Sequence, residues 1–544
     1  MAADRPQPPT SETREVTRRN FMKTAATTAV TGASAMIVPR YVLGQGMTPP
    51  SDLVNIASVG VSGRGAAVTQ GLMTQNIVAV CDVDFGLLDT RLNTWRNNAF
   101  PISGPAAPGA GGRGQGAGAA GTPAQPTWQN FGTSKLQQAA NAKWKPQPQQ
   151  EVMRRFITDQ VPRMARYRDY REMLEKQKDI DAVMIATPDH MHAPIASAAM
   201  ALGKHVYVEK PLCWSVHEAR HLARRAAETK LVTQMGNQGH SQDGARRGQD
   251  YLASGVLGDI REVHIWTNRP FAFWPQGVPR PSAATGPTAW NSNGLNARLA
   301  NAMAAGNNTV PTTLSWDLFL GVAPQVEYHP VYHPFNWRGW VDWGQGALGD
   351  MGAHLIDHPV WGLKLGLPTT IETLSTPFNG ASFPSATTTY YDFPARQGMP
   401  AVKMTWYDGG LLPPRPEEMG DARLDPGGGV LYIGTKGKML QDTYGANPRL
   451  LPMAQHNSFG APREQTSRIA NEDHQMNWVN AIRGREEVSC PFSYAAHLTE
   501  IMLLGIVALR ANAKLQYDGA NMRVTNNVAA NDFLTRQYRA GYSL

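Results

Sequence analysis

Cysteine is almost missing from this chain: Cys81, Cys213 and Cys490 are the only three in 544 residues, and no two form a C-x-x-C pair. That spacing excludes a zinc knuckle and a thioredoxin-type redox site, allows at most one disulfide, and makes buried free thiols the expectation. Charge is sparse too, at 17% of residues, against 42% hydrophobic, the balance of a globular and not a disordered protein. The formal charge is +8, but residues 1–45 alone hold six Lys/Arg and three Asp/Glu. No basic run of the kind that tracks phosphates follows, so nucleic acid is not an expected partner. The mildly apolar stretch Thr24 to Val38 is short and rich in Ala, Thr and Gly, which argues against a stable membrane span.

What precedes that stretch is T-R-R-N-F-M-K, Thr17 to Lys23. A paired Arg, a weak apolar segment and small residues are the parts of an export signal. The segment resembles a twin-arginine (Tat) signal, so residues 1–45 are read as a leader. It implies passage through the Tat machinery and a periplasmic location.

Globular sequence opens at Leu53 with an apolar strand that breaks into V-G-V-S-G-R-G and resumes as a helix. In the register G-x-G-x-x-G, Gly60 and Gly65 take the first and third positions and Ser62 the second. Gly63 and Arg64 complete a turn whose amides, at a helix N-terminus, suit a pyrophosphate. A second strand, I-V-A-V-C-D-V-D, ends in Asp82 and Asp84 about 20 residues on, where an acid accepts from a ribose 2′-hydroxyl and repels a 2′-phosphate. The expected cofactor is therefore NAD in preference to NADP. Residues 101–127 form a Gly/Ala/Pro/Gln tract with hardly an apolar side chain, read as an inserted low-complexity segment.

Two more strands carry chemistry at their ends. D-I-D-A-V-M-I-A runs into Thr187, Pro188, Asp189, His190 and His192, and H-V-Y-V runs into Glu209, Lys210 and Pro211. Strands alternating with helices specify a parallel, doubly wound sheet, whose ligands sit beyond the carboxyl ends of the strands. Lys210 is thus the first candidate for a catalytic group. His192, Thr187, Pro188, Glu209 and Gln238, of the phrase G-N-Q-G-H, are candidate cofactor contacts. The Rossmann domain is placed at 50–235.

From 236 to 544 the pattern changes. G-D-I-R-E-V-H-I-W-T, A-V-K-M-T-W-Y and G-V-L-Y-I-G-T-K-G-K-M-L read as consecutive, mostly antiparallel strands joined by glycine turns, an α+β domain. Within it, G-A-L-G-D-M-G-A-H-L-I-D-H sets Asp350, His354 and His358 at four-residue steps, one face of a helix. An acid one turn before a His can accept its N–H and fix its tautomer, as a general base near neutral pH requires. The same residues with Asp357 could ligate a metal, but nothing closes a tetrahedral site, so no metal is expected. Trp337, Trp340 and Trp343 are read as core for at least two of the three.

The glycine turn, A-T-P-D-H-M-H, V-E-K-P-L and G-A-L-G-D-M-G-A-H-L-I-D together resemble the Gfo/Idh/MocA oxidoreductases over nearly all of Leu53 to Leu544. The resemblance implies a Rossmann domain followed by an α+β domain whose open sheet often forms an oligomer interface, hence a homo-oligomeric dimer or tetramer. It implies a cis Lys210–Pro211 bond, Lys210 beside nicotinamide and reacting hydroxyl, and proton transfer by Asp350 and His354. Ser62, and Asp189 where many members have Asn, depart from the common pattern. The expected reaction oxidises a ring hydroxyl of a sugar or glycoside, with His354 as base and Lys210 stabilising the alkoxide. Export adds a demand for tightly held NAD, regenerated within each cycle. Sugar oxidoreduction meets it, and so does redox-neutral glycoside cleavage through a transient 3-keto sugar. A non-catalytic sugar- or cofactor-binding module and metal-dependent hydrolysis are the alternatives from other classes.

Overall fold

The structure, a computed structural model, describes residues 52–101, 128–271, 273–281 and 308–544. Residues 1–45, nearly all of the 101–127 tract and residues 282–307 fall outside these residues.

Strands β1 (Asn55–Val59), β2 (Asn76–Cys81), β3 (Ala165–Tyr167), β4 (Ala182–Ile185), β5 (His205–Val208) and β6 (Thr233–Met235) form one sheet in the order 3-2-1-4-5-6. Every pairing in it is parallel. A parallel sheet is covered on both faces, which is why its strands are continuous apolar runs; β4, A-V-M-I, is buried at every position. The chain winds outward from β1 to β3, then returns to lay β4 beside β1. A crevice opens at that reversal beyond the carboxyl ends of the strands. Helix α1 (Arg64–Leu72) leaves β1 through the glycine turn, and α2 (Phe85–Ala99) leaves β2 with Asp84 capping the amides of Gly86 and Leu87. Helix α3 (His192–Ala201) links β4 to β5. Helix α4 (Val216–Thr229) follows β5, opened by a capping box of Ser215 and Glu218.

The second sheet has nine strands: β7 (Ile260–Thr267), β8 (Thr370–Ser375), β9 (Thr387–Phe393), β10 (Val402–Tyr407), β11 (Gly428–Gly434), β12 (Lys438–Asp442), β13 (Arg449–Leu451), β14 (Leu515–Asp518) and β15 (Arg523–Val524). Their order is 13-12-11-7-10-9-8-14-15. All neighbours pair antiparallel except β7 with β10. Helix α5 (Asp243–Ala253) lies between the two sheets in sequence, and α6 (Gly346–Leu355) and α7 (Asp357–Gly362) lie between β7 and β8. Helix α8 (Phe492–Ala511) is the one described helix long and apolar enough to cross a membrane. Here it is a core helix, packed on α4, α6 and β8, with Leu498, Ile501 and Leu504 fully buried. Each such side chain contributes about 1.5–3 kcal/mol. Gly352 lets α6 seat closely on it: an added Cβ would lie 3.2 Å from Met502 Cγ.

Val54–Leu544 forms one compact unit. The helix His474–Ile482 returns to the first sheet, where Trp478 and Val479 share a core with Ile56 and Val68. Gln234 Nε2 donates to the His474 carbonyl at 2.6 Å. All three cysteines are buried and free.

Candidate active site

A cavity of about 600 Å³ runs from the glycine turn to α6, lined by Gly60, Ser62, Gly63, Arg64, Thr187, Glu209, Lys210, Gln238, Asp350 and His354 among others. Its dinucleotide end is a turn drawn tight. Gly60 (φ +77°) donates its amide to Cys81 O at 2.8 Å, and a Cβ there would sit 2.7 Å from the Ala186 carbonyl carbon. A Cβ on Gly65 would sit 1.7 Å from Gly60 O, so Gly65 is buried packing, not lining. Asp82 accepts from the amides of Val61 (3.0 Å), Ser62 (3.2 Å) and Asp84 (3.1 Å) and from Ser62 Oγ (3.2 Å). It therefore braces the turn as well as lining the cavity, and burial raises its pKa. Asp84 caps α2 and pairs at 3.0 Å with His333 Nε2.

Strands β4 and β5 deliver the next groups. Thr187 Oγ1 and Gln238 Oε1 are buried without a hydrogen-bond partner. His192 lies behind the wall, its ring nitrogens 2.7 Å from Pro211 O and 2.8 Å from Thr187 O. Burial pushes its pKa down to about 4, so the neutral ring donates to one of these carbonyls at a time. His190 likewise serves structure, with Nε2 3.0 Å from Phe319 O. Arg64 pairs with buried Glu209 at 3.1 Å. The Lys210–Pro211 peptide is cis.

Lys210 Nζ donates to Asp350 Oδ1 at 2.8 Å and to the Asp350 carbonyl at 2.7 Å. Arg338 Nε stands 3.5 Å from the same carboxylate. Against its burial, Lys210 and Arg338 hold Asp350 well below the usual carboxylate range. The expected Asp350 to His354 contact is thereby replaced: the ammonium takes the carboxylate, and His354 Nδ1 meets Asn237 Oδ1 at 3.2 Å instead. Since that oxygen only accepts, the proton sits on Nδ1 and the Nε2 lone pair is free. Burial, reinforced by Lys210, holds the imidazole neutral.

His358 does not line the cavity. Ile356, still in the helical region of φ/ψ, separates the end of α6 at Leu355 from the start of α7 at Asp357. His358 is buried away from the cavity, 3.7 Å from Asp357, whose carboxylate pairs with His240 at 2.9 Å. Among the described residues no cluster of three His, Cys, Asp or Glu suits a metal. Trp340 and Trp343 are fully buried core, while Trp337 lines the cavity. Sequence reasoning passed over Asn237, Arg338, Arg269 and Tyr444. Asn237 stood one residue from Gln238 in G-N-Q-G-H, and Arg338 in the aromatic-rich N-W-R-G-W; Arg269 and Tyr444 had no local signal.

Two family profiles match. One, described as an oxidoreductase family with an NAD-binding Rossmann fold, matches residues 115–237; the other, the C-terminal alpha/beta domain of the same family, matches 291–366. Among curated proteins, a 1-carboxy-3-chloro-3,4-dihydroxycyclohexa-1,5-diene dehydrogenase of Comamonas testosteroni is 32% identical over 128 residues, 23% of this chain and 31% of that protein. A glycosyl hydrolase family 109 protein of Shewanella pealeana is 37% identical over 94 residues, 16% of this chain and 20% of its own. The chain thus spans less than a third of the length of these relatives. A solved levoglucosan dehydrogenase, in complex with NADH and L-sorbose, aligns at 14% identity and a TM-score of 0.47, covering 86% of this chain and 100% of that one. In both its nucleotide-binding and its C-terminal segments, the chain matches the Gfo/Idh/MocA oxidoreductase family.

Proposed function

We propose that this protein is an NAD(H)-dependent oxidoreductase acting on a ring hydroxyl of a sugar or glycoside. The observation that carries this reading is that Lys210, Asp350 and His354 line the same cavity as the Gly60–Arg64 turn. The residues fit a dinucleotide. Gly63 faces open space, the first amides of α1 have no side-chain cap, and Thr187 Oγ1 and Gln238 Oε1 lack partners. The turn and Arg64 would hold the pyrophosphate, and Thr187, Glu209 and Gln238 the sugar and ring beyond it. A nicotinamide bound there supplies the acceptor for the hydride that leaves the carbinol carbon.

The chain's own groups handle charge and proton. His354 Nε2 accepts the hydroxyl proton, because Nδ1 is engaged by Asn237. An ammonium has three donors; Lys210 uses two on Asp350, and the third is left for the developing alkoxide. Asp350, held ionised, fixes Lys210 in position.

A second reading has one observation in its favour, the match to a glycosyl hydrolase family 109 protein. In redox-neutral cleavage, oxidation at C3 acidifies the C2 proton, the group on C1 departs, water adds and the ketone is reduced again. The Thr17–Lys23 pattern supports export of the folded protein to the periplasm with NAD retained, and either chemistry suits a cofactor that is not exchanged. A screen of free sugars and glycosides, following the reduced-nicotinamide band and product release together, tests both. Net reduction is expected for a dehydrogenase and cleavage without net reduction for the second reading; no response to any carbohydrate contradicts both.

A further inference from the structure

Four cationic side chains crowd the cavity around α6: Arg64, Lys210, Arg269 and Arg338. Three have carboxylates. Arg64 pairs with Glu209 at 3.1 Å, and Lys210 and Arg338 share Asp350 at 2.8 Å and 3.5 Å. Arg269, on the loop that leaves β7, has none. Its guanidinium stacks 3.3 Å over the Phe273 ring, and Nη1 donates to Asn268 Oδ1 at 2.6 Å. No Asp or Glu among the described residues comes within ion-pair distance of it. Asp189, the remaining acid at this end, is pushed by burial up to about 8 and is neutral at pH 7. Four cations thus face two ionised carboxylates.

A partly desolvated guanidinium without a counter-ion is poorly satisfied, and its planar fork matches an oxyanion. Burial lowers the pKa of Arg269 against the opposing pull of the Asp350 carboxylate. Arg269 lines the cavity together with Lys210, Asp350 and His354, whereas the helix terminus suited to a pyrophosphate lies at Arg64. Phe273, Trp274 and Trp337 line the cavity with it and offer flat apolar surface for the carbon face of a ring.

We propose that the substrate is an anionic carbohydrate, a uronate or a sugar phosphate, whose oxyanion is held by Arg269. The proposal rests on the carbohydrate reading above and adds the substrate's charge. Trp274 and Trp337 provide a binding readout independent of turnover. Glucose, galactose and mannose, each as hexose, hexuronate and hexose 6-phosphate, would be titrated into NAD-loaded protein and tryptophan fluorescence followed. One anionic class is expected to bind at least about tenfold tighter than its neutral parent, and the better class identifies the oxyanion. Arg269→Gln should bring that class to the level of the hexose, and Arg269→Lys, which keeps the charge, should recover part of the preference. Equal binding of hexose and both anions, or a preference that survives Arg269→Gln, overturns the proposal. Binding by no carbohydrate at all, with NAD still taken up, overturns the carbohydrate reading on which it rests.

Discussion

Asp189 is buried, at 5% exposure, in a wall that also holds Asp350. Burial raises its pKa to about 8 despite the pull of Arg338 and Lys210, so near neutrality it is a carboxylic acid. That accounts for an Asp where the family resemblance leads one to expect Asn, since the two are neutral and nearly the same shape. Unfolded, the same carboxyl ionises near 3.9. Between about pH 4 and 8 the folded state keeps a proton that the unfolded chain has lost, so stability from this residue falls as pH rises. Asp189→Asn should therefore stabilise the protein, by on the order of 1 kcal/mol at pH 7. The gain, read as urea midpoints, should grow from pH 5 to pH 8 and then level; a gain that shrinks with pH would contradict the assignment. Buried histidines act in the other direction. Burial drives His190 and His474 down to about 3 and His192 to about 4, so their contribution is full above pH 6.5 and lost as pH falls below it.

At the level of single elements, the glycine turn has the least freedom. An alanine methyl at 65 must enter the backbone of Gly60, while one at 63 meets open space and strains only its φ of +57°. Gly65→Ala is expected to lower stability by about 2 kcal/mol or more and dinucleotide affinity at least about tenfold. Gly63→Ala should cost about 1 kcal/mol. Thermal melts and NAD titration distinguish the two; equal effects would mean that the close approach of α1 to the turn is not needed. The order of strands and helices was legible in the sequence because buried parallel strands are unbroken apolar runs and their loops carry glycine or proline. The four-residue step from Asp350 to His354 was legible as a helix face for the same kind of reason. What a helix face cannot reveal is competition from elsewhere in the chain. Lys210, 140 residues earlier, takes the carboxylate, and Asn237 takes the imidazole. Nor can a helix face reveal depth: His358, one four-residue step beyond His354, is buried outside the cavity beside Asp357. His192 was assigned to the cofactor, but two backbone carbonyls lie within its reach and draw it behind the wall.

Across the whole molecule, the site exists only because two sheets are folded together. The first provides the turn and Lys210; the second domain brings Asp350, His354 and Arg338 on and beside α6. Helices α8 and His474–Ile482 bind the halves through shared cores, which keeps these groups in register. The central claim is that Lys210 acts on the substrate's oxygen and is not merely a strand-end cation. It is tested most directly by single-turnover spectroscopy of NAD-loaded protein at the reduced-nicotinamide band, wild type against Lys210→Ala, with cofactor binding titrated separately. The band should rise with an accepted carbohydrate, permanently or in passing, and Lys210→Ala should slow that rise by about a hundredfold or more while still binding NAD. A Lys210→Ala variant that turns over at the wild-type rate would contradict the account.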